Sequence, residues 1–269
     1  MYRLKAIKSE KPWGYELWIA STHPNGLQKD FKEYAGGDYP LLVKIIQADD
    51  TLSVQVHPDD GLAQKFEGGS GKTECWFILG ANKDARLIYG MNGEHSEEEL
   101  RAAINENRLE DFMNSVPVKK GDFAYIPAGT VHAIGGGIKI LEVQQSSDIT
   151  YRLYDWGRGR ECHVEKGLAC IKNQGLRKVE SFRGAFSCPY FTLEEIFVDG
   201  KFTAPVSVRT ESQDPADTVL YFVIEGSGLL NDRRAAAEEI FAFGPNERIV
   251  AEGKFLLMRI AACHFDSAQ

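Results

Sequence analysis

No apolar run in this 269-residue chain approaches the ~20 residues that a membrane-spanning helix needs, which excludes a helical span. No lysine- or arginine-rich cluster offsets the acidic balance. The 31 Lys+Arg against 39 Asp+Glu leave a formal charge of −8, which disfavours nucleic acid and anionic membranes as partners. Cysteine is sparse and scattered: Cys75, Cys162, Cys170, Cys188 and Cys263 are odd in number and form no Cys-x-x-Cys pair. That excludes a disulfide framework and fits a reducing compartment. The opening Met1-Tyr2-Arg3-Leu4-Lys5 lacks the apolar core of a secretory signal, so the expected location is the cytoplasm. Low-complexity tracts are absent as well. What remains is a chain 43% hydrophobic, enough for one large or two small globular domains.

Helical periodicity is nearly absent too. Ser96-Glu97-Glu98-Glu99 opens a capping box, with Leu100, Ala103 and Ile104 following at helical spacing, and Leu109–Met113 reads as a second short helix after it. Elsewhere short apolar and β-branched runs recur between Gly, Pro, Asn and Asp. They are Leu41–Gln47, Leu52–His57, Thr73–Leu79, Ala124–Ile126, Ile138–Val143 and Ile149–Tyr154, then Phe191–Val198, Val219–Ile224, Ile240–Phe243 and Phe255–Ile260. The turn-like Asn173-Gln174-Gly175 divides the two sets. The expectation is an all-β protein of two stacked barrels or sandwiches, residues 1–175 and a smaller 176–269, with a helical insertion near 96–115.

Strand residues alternate between faces with period 2. Ser53, Gln55 and His57 share one face, and so do Lys72, Glu74 and Trp76. Glu142 and Gln144 continue the face of Ile138 and Ile140, and Thr150, Arg152 and Tyr154 alternate with Ile149, Tyr151 and Leu153. A face that merely meets water favours Lys, Glu, Thr and Ser. These faces collect His, Gln, Glu, Trp and Arg, residue types that ligate, stack and polarise. A barrel with a polar site inside and a covering layer outside accounts for both faces.

Gln55 and His57 sit side by side on one strand, Glu74 comes from a second strand and His132 from a third. Two imidazoles, one carboxylate and one amide oxygen leave room for water or substrate on a divalent ion, as a catalytic site requires. These ligand types suit Zn(II), Fe(II) or Mn(II). Gly121–His132, G-D-F-A-Y-I-P-A-G-T-V-H, fits the second cupin motif, G-x5-P-x-G-x2-H, at every fixed position. The two barrels are therefore expected to be cupin-type jelly rolls. The second is degenerate, since its half of the chain has no His-x-His and a single histidine, His264. His23, His95, His163 and His264 read as structural or surface residues.

Leu52–Pro58, Gly71–Trp76 and Pro127–Ala133 resemble the signatures of class I mannose-6-phosphate isomerases, and Lys11–Glu16 resembles that family's opening motif. Glu142–Arg152 keeps the family's spacing from an acidic residue to an arginine, and Tyr151–Trp156 is similar to the short bacterial branch. The resemblance covers about the first 160 residues. It implies one Zn2+ per chain on Gln55, His57, Glu74 and His132, with Arg152 as the active-site arginine. It also places the phosphate-handling residues at Lys44 and Ser53. Lys44 has independent support as the one charge inside Leu41–Ile46. The long helical domain of the larger family members is absent.

The implied reaction is the aldose–ketose interconversion of mannose 6-phosphate and fructose 6-phosphate through an enediol, with a small-molecule sugar phosphate as partner. It needs a base near carbon and positive charge where the enolate oxygen develops. Arg152 supplies permanent charge, Glu142 and Lys72 are both candidates for proton transfer, Asp148 is a candidate to orient Arg152, and Trp13 to line the pocket. Two rival readings share the ligand types: an Fe(II) cupin oxygenase and a non-catalytic sugar-phosphate-binding cupin. The pairing of Lys72 with Arg152 suits an anionic sugar better than the oxygenase, and the presence of Lys72, Glu142 and Arg152 together speaks against the binding module.

Overall fold

The computed structural model describes residues 1–172, 177–206 and 214–264. The chain divides into two compact units. One comprises Met1–Ile7, Trp18–Val43 and Arg183–Gln269, the other Lys8–Leu17 and Lys44–Phe182. The units are not consecutive, unlike the sequential division 1–175 and 176–269. The strand Tyr2–Arg3 explains why, since it pairs antiparallel with Ile240–Phe243, setting Tyr2 opposite Ala242. The turn expected at Asn173–Gly175, and the boundary placed there, lie outside the described residues.

The chain is mostly β, as its patterning predicts. A seven-stranded sheet runs Glu180–Ser181, Asp122–Ile126, Glu74–Ala81, Ile138–Gln145, Leu41–Ala48, Gly14–Ala20, Ile7–Lys11. A five-stranded sheet runs Tyr151–Tyr154, Val54–Val56, His132–Ile134, Arg86–Met91, Met113–Pro117. Their inward faces share one apolar cluster, with Ile46, Trp76, Ile78, Ile138 and Ile140 from the first sheet and Leu87, Tyr89 and Ile134 from the second. Alternation then carries the inward face of Ile138 and Ile140 on to Glu142 and Gln144, both buried. The space between the sheets is therefore apolar at one end and polar at the other.

The outer face of the five-stranded sheet is covered by helices. Val54, Val56, Ala133, Tyr151 and Leu153 pack with Leu100 and Ile104 of the helix Glu97–Asn105, and with Leu168 and Cys170 of Val164–Cys170. Burying each such aliphatic side chain is worth about 1.5–3 kcal/mol. The Ser96 capping box forms as its sequence predicts, with both reciprocal bonds present. The second short helix is there as a 3-10 helix, Leu109–Phe112, with Met113 already extended. Asp60–Glu67 is a helix absent from the periodicity reading, although Asp59 caps its first turn and left-handed Gly68 ends it.

In the other unit, the fifteen-residue strands Phe191–Pro205 and Arg248–Ala262 pair along their length, from Phe191 opposite Ala262 to Pro205 opposite Arg248. Val219–Leu230 lies on the far side of Arg248–Ala262. The core there is Tyr221, Val223, Phe241, Phe243, Phe255 and Leu257.

Candidate metal centre

Three strand ends converge at the polar end of the interior. His57 follows Val54–Val56, Glu74 opens Glu74–Ala81, and His132 opens His132–Ile134. All three side chains are buried, and their ligand atoms lie within 4.8 Å of one another. The Pro127–Thr130 turn aims His132. Thr130 N–H donates to the Pro127 carbonyl, and Gly129 between them is left-handed at φ +89°. Gly129 N–H also donates to the His57 carbonyl at 2.9 Å, tying the loop that carries one imidazole to the strand end that carries the other.

Both imidazoles are fixed in the same tautomer. His57 Nδ1 faces the Ile149 carbonyl at 3.0 Å, and His132 Nδ1 faces the Thr130 carbonyl at 2.9 Å. Only an N–H satisfies a carbonyl, so each Nδ1 carries the proton and each Nε2 lone pair points inward. Burial keeps both rings neutral, pulling His132 down to about 4 and His57 well below its ordinary value. Glu74 Oε1 lies 3.5 Å from His132 Nε2, and Glu74 Oε2 lies 3.5 Å from His57 Nε2. Two atoms each about 2.0–2.1 Å from one tetrahedral ion are separated by roughly 3.3–3.4 Å. Donor type, tautomer and spacing all fit a divalent metal.

Gln55 is the register partner of both His132 and Arg152, so the three side chains form a row across neighbouring strands. Its amide nitrogen donates to Ser53 Oγ at 3.2 Å. The Lys72 ammonium stands 2.9 Å from Glu74 Oε2 and 3.2 Å from His57 Nε2. Beside it runs a second charged network. Lys44 donates to Glu142 Oε1 at 3.1 Å and Gln144 Oε1 at 2.9 Å, and the Trp76 indole donates to Glu142 Oε2 at 3.0 Å. The Trp76 ring meets the His132 ring edge-on.

The two carboxylates differ in state. Burial and then the Glu142 charge push Glu74 up to about 7, against the pull of Lys72. Burial also opposes ionisation of Glu142, but Lys44 and then Lys72 outweigh it and hold Glu142 below the ordinary carboxylate range. Lys44 keeps its charge for the same reason: burial disfavours it, and Glu142 more than compensates.

The remaining expected residues lie around this centre. Ser53 is buried, and Arg152 is half-buried with Nη1 donating to the Glu161 carbonyl at 2.6 Å. Arg152 Nε is buried without a partner. Asp148 is exposed and lines an open groove with Thr150, Glu161 and His163. Trp13 is 5% exposed and belongs to the apolar cluster, so packing accounts for its burial. Gln144, Trp76, Glu161 and His163 carry no site role in the sequence reading. The period-2 alternation that marks Glu142 also marks Gln144 and Trp76.

Residues 19–73 match the family model for the phosphomannose isomerase type I catalytic domain. The chain is 37% identical over 268 residues to mannose-6-phosphate isomerase ManA of Bacillus subtilis, covering 92% of this chain and 79% of that protein. It is 37% identical over 252 residues to mannose-6-phosphate isomerase of Streptococcus mutans, covering 79% of this chain and 76% of the relative. The fold superposes on a crystal structure of the mannose 6-phosphate isomerase from Bacillus subtilis with a TM-score of 0.82 at 28% identity. That superposition covers 98% of this chain and 99% of the other.

Proposed function

Because the chain belongs to the mannose-6-phosphate isomerase family, we propose that it interconverts mannose 6-phosphate and fructose 6-phosphate, moving a proton between C1 and C2 through an enediol. The observation that carries this reading is the buried His57–Glu74–His132 triad, with both Nε2 atoms 3.5 Å from the carboxylate. These residues, with Gln55 as fourth ligand, would hold one Zn2+, which when bound supplies Lewis-acid polarisation of the sugar oxygens.

Glu142 is the ionised carboxylate of the site and therefore the base for the carbon-bound proton. Lys72, beside Glu74, returns a proton to the sugar oxygens or holds their developing charge. Arg152 stabilises the enediolate as a permanent cation. Lys44, expected at the phosphate, instead holds Glu142 ionised, which leaves Ser53 for the phosphate, and Asp148 sits at the rim. Among the described residues no helix is long and apolar enough to cross a membrane.

A coupled assay of fructose 6-phosphate formation, run before and after chelation, tests the reading. Activity should disappear on chelation, return with zinc, and be far weaker on free mannose. Full activity in the chelated protein, or equal turnover of free mannose, would overturn it.

A further inference from the structure

Just past Arg152 the chain doubles back. Arg158 N–H donates to the Asp155 carbonyl at 3.0 Å, closing a turn whose central residues, Trp156 (φ 55°) and Gly157 (φ 75°), are both left-handed. Glycine adopts that conformation freely, whereas for tryptophan it costs of order 1–3 kcal/mol. The indole is held there by its N–H, which donates to the Leu52 carbonyl at 2.7 Å, and by an edge contact with Tyr154. Beyond the turn Arg160 forks onto Asp155, Nε to Oδ2 at 2.8 Å and Nη2 to Oδ1 at 2.5 Å. The Asp155 carboxylate is 5% exposed, and Arg158 Nη2 anchors the same return to the Thr51 carbonyl.

The returning segment brackets Arg152 from three directions. Glu161 offers its carbonyl to Arg152 Nη1, His163 N–H donates to the Arg152 carbonyl at 2.7 Å, and Arg152 N–H donates to His163 Nδ1 at 3.2 Å. Main chain and guanidinium are both held by residues that the Asp155–Arg160 fork folds into place. A bidentate ion pair on a buried carboxylate is a stiff clasp for such a return.

We propose that Asp155 and Arg160 are positioning residues for the isomerisation, closing the 155–163 return so that the Arg152 guanidinium is presented at a fixed angle to the reacting sugar. The inference rests on the role given to Arg152 above. Misplacing a catalytic group by about 1 Å costs on the order of 10²-fold in rate.

The test is a double-mutant cycle in the metal-replete protein: Arg160→Met, Arg152→Met and both together, with kcat, KM, metal content and Tm measured for each. Arg160→Met should lower kcat on the order of 10²-fold with little change in KM, and should cost nothing further once Arg152 is methionine. An equal loss of kcat in both backgrounds would show that the fork acts elsewhere and overturn the proposal. Near-parental kcat in Arg152→Met would instead remove the role of Arg152, and this inference with it. If Arg160→Met does not fold, Asp155→Asn keeps the shape and drops the charge, and its loss should vanish in the Arg152→Met background in the same way.

Discussion

Lys72 Nζ lies 2.9 Å from Glu74 Oε2, so the strand-opening carboxylate of the triad meets an ammonium only two residues away in sequence. The same ammonium reaches His57 Nε2 at 3.2 Å. A bound metal ion would therefore compete with Lys72 for the same two ligand atoms. Lys72→Met should keep about one equivalent of metal and release it more slowly to a chelator, while kcat falls on the order of 10²-fold. Metal analysis with a chelator chase decides this. A metal-free Lys72→Met protein would show that the lysine organises the site. His132→Ala, which removes a ligand, should lose the ion outright.

The pH dependence of metal binding follows from Glu74, pushed up from 4.5 to about 7 by burial and Glu142. Between those values the folded metal-free chain holds a proton that the unfolded chain has released. This group's penalty to stability is absent below pH 4.5, grows as pH rises, and is complete above about 7. Coordination needs the carboxylate, so metal affinity rises through the same window. Both imidazoles are already neutral there and release nothing. Calorimetry in buffers of different ionisation enthalpy should find nearly one proton released per ion near pH 6 and almost none near pH 8. Equal release at both would contradict the assignment.

Lys44 and Glu142 form a buried pair, and removing one partner strands the other. Lys44→Met should destabilise the protein by about 3–5 kcal/mol, read from urea midpoints, and adding Glu142→Gln should recover most of that loss without restoring activity. A single variant as stable as the parent would show that the pair is solvated in solution.

Gly129 has φ +89°, and a Cβ there would fall 2.8 Å from the Cys170 carbonyl oxygen. Gly129→Ala should cost about 1–3 kcal/mol and loosen the ion, because the same turn aims His132. Retention of both parental Tm and metal content would show that the turn adapts freely.

Much of this was legible because alternation is local. The run Ile138, Ile140, Glu142, Gln144 announces an interior that changes from apolar to polar, and the capping box at Ser96 announces its helix. What was not legible depends on distance. Lys44 meets Glu142 across 98 residues, and no short pattern encodes that partner. Tyr2–Arg3 joins Ile240–Phe243 from the opposite end of the chain, which composition along the sequence cannot signal. The grip on Arg152 runs partly through the Glu161 carbonyl and the His163 N–H, atoms every residue carries alike. The helix Asp60–Glu67 had readable caps and an apolar stripe of Leu62, Ala63 and Phe66, but its eight residues are too few for the periodicity to stand out.

The apolar cluster beneath the metal centre has an isotopic consequence. Trp76, Ile78, Ile138 and Ile140 close one end of the space between the sheets, so hydrogen exchange with bulk solvent must run through the other end. On the proposed mechanism, a hydrogen lifted from the sugar by Glu142 would border a dry wall on one side and wash out only as fast as water enters from the other. Sugar labelled with tritium at C2 should therefore deliver part of its label to C1 of the product rather than to the medium, and opening the wall with Ile140→Ala should lower that fraction.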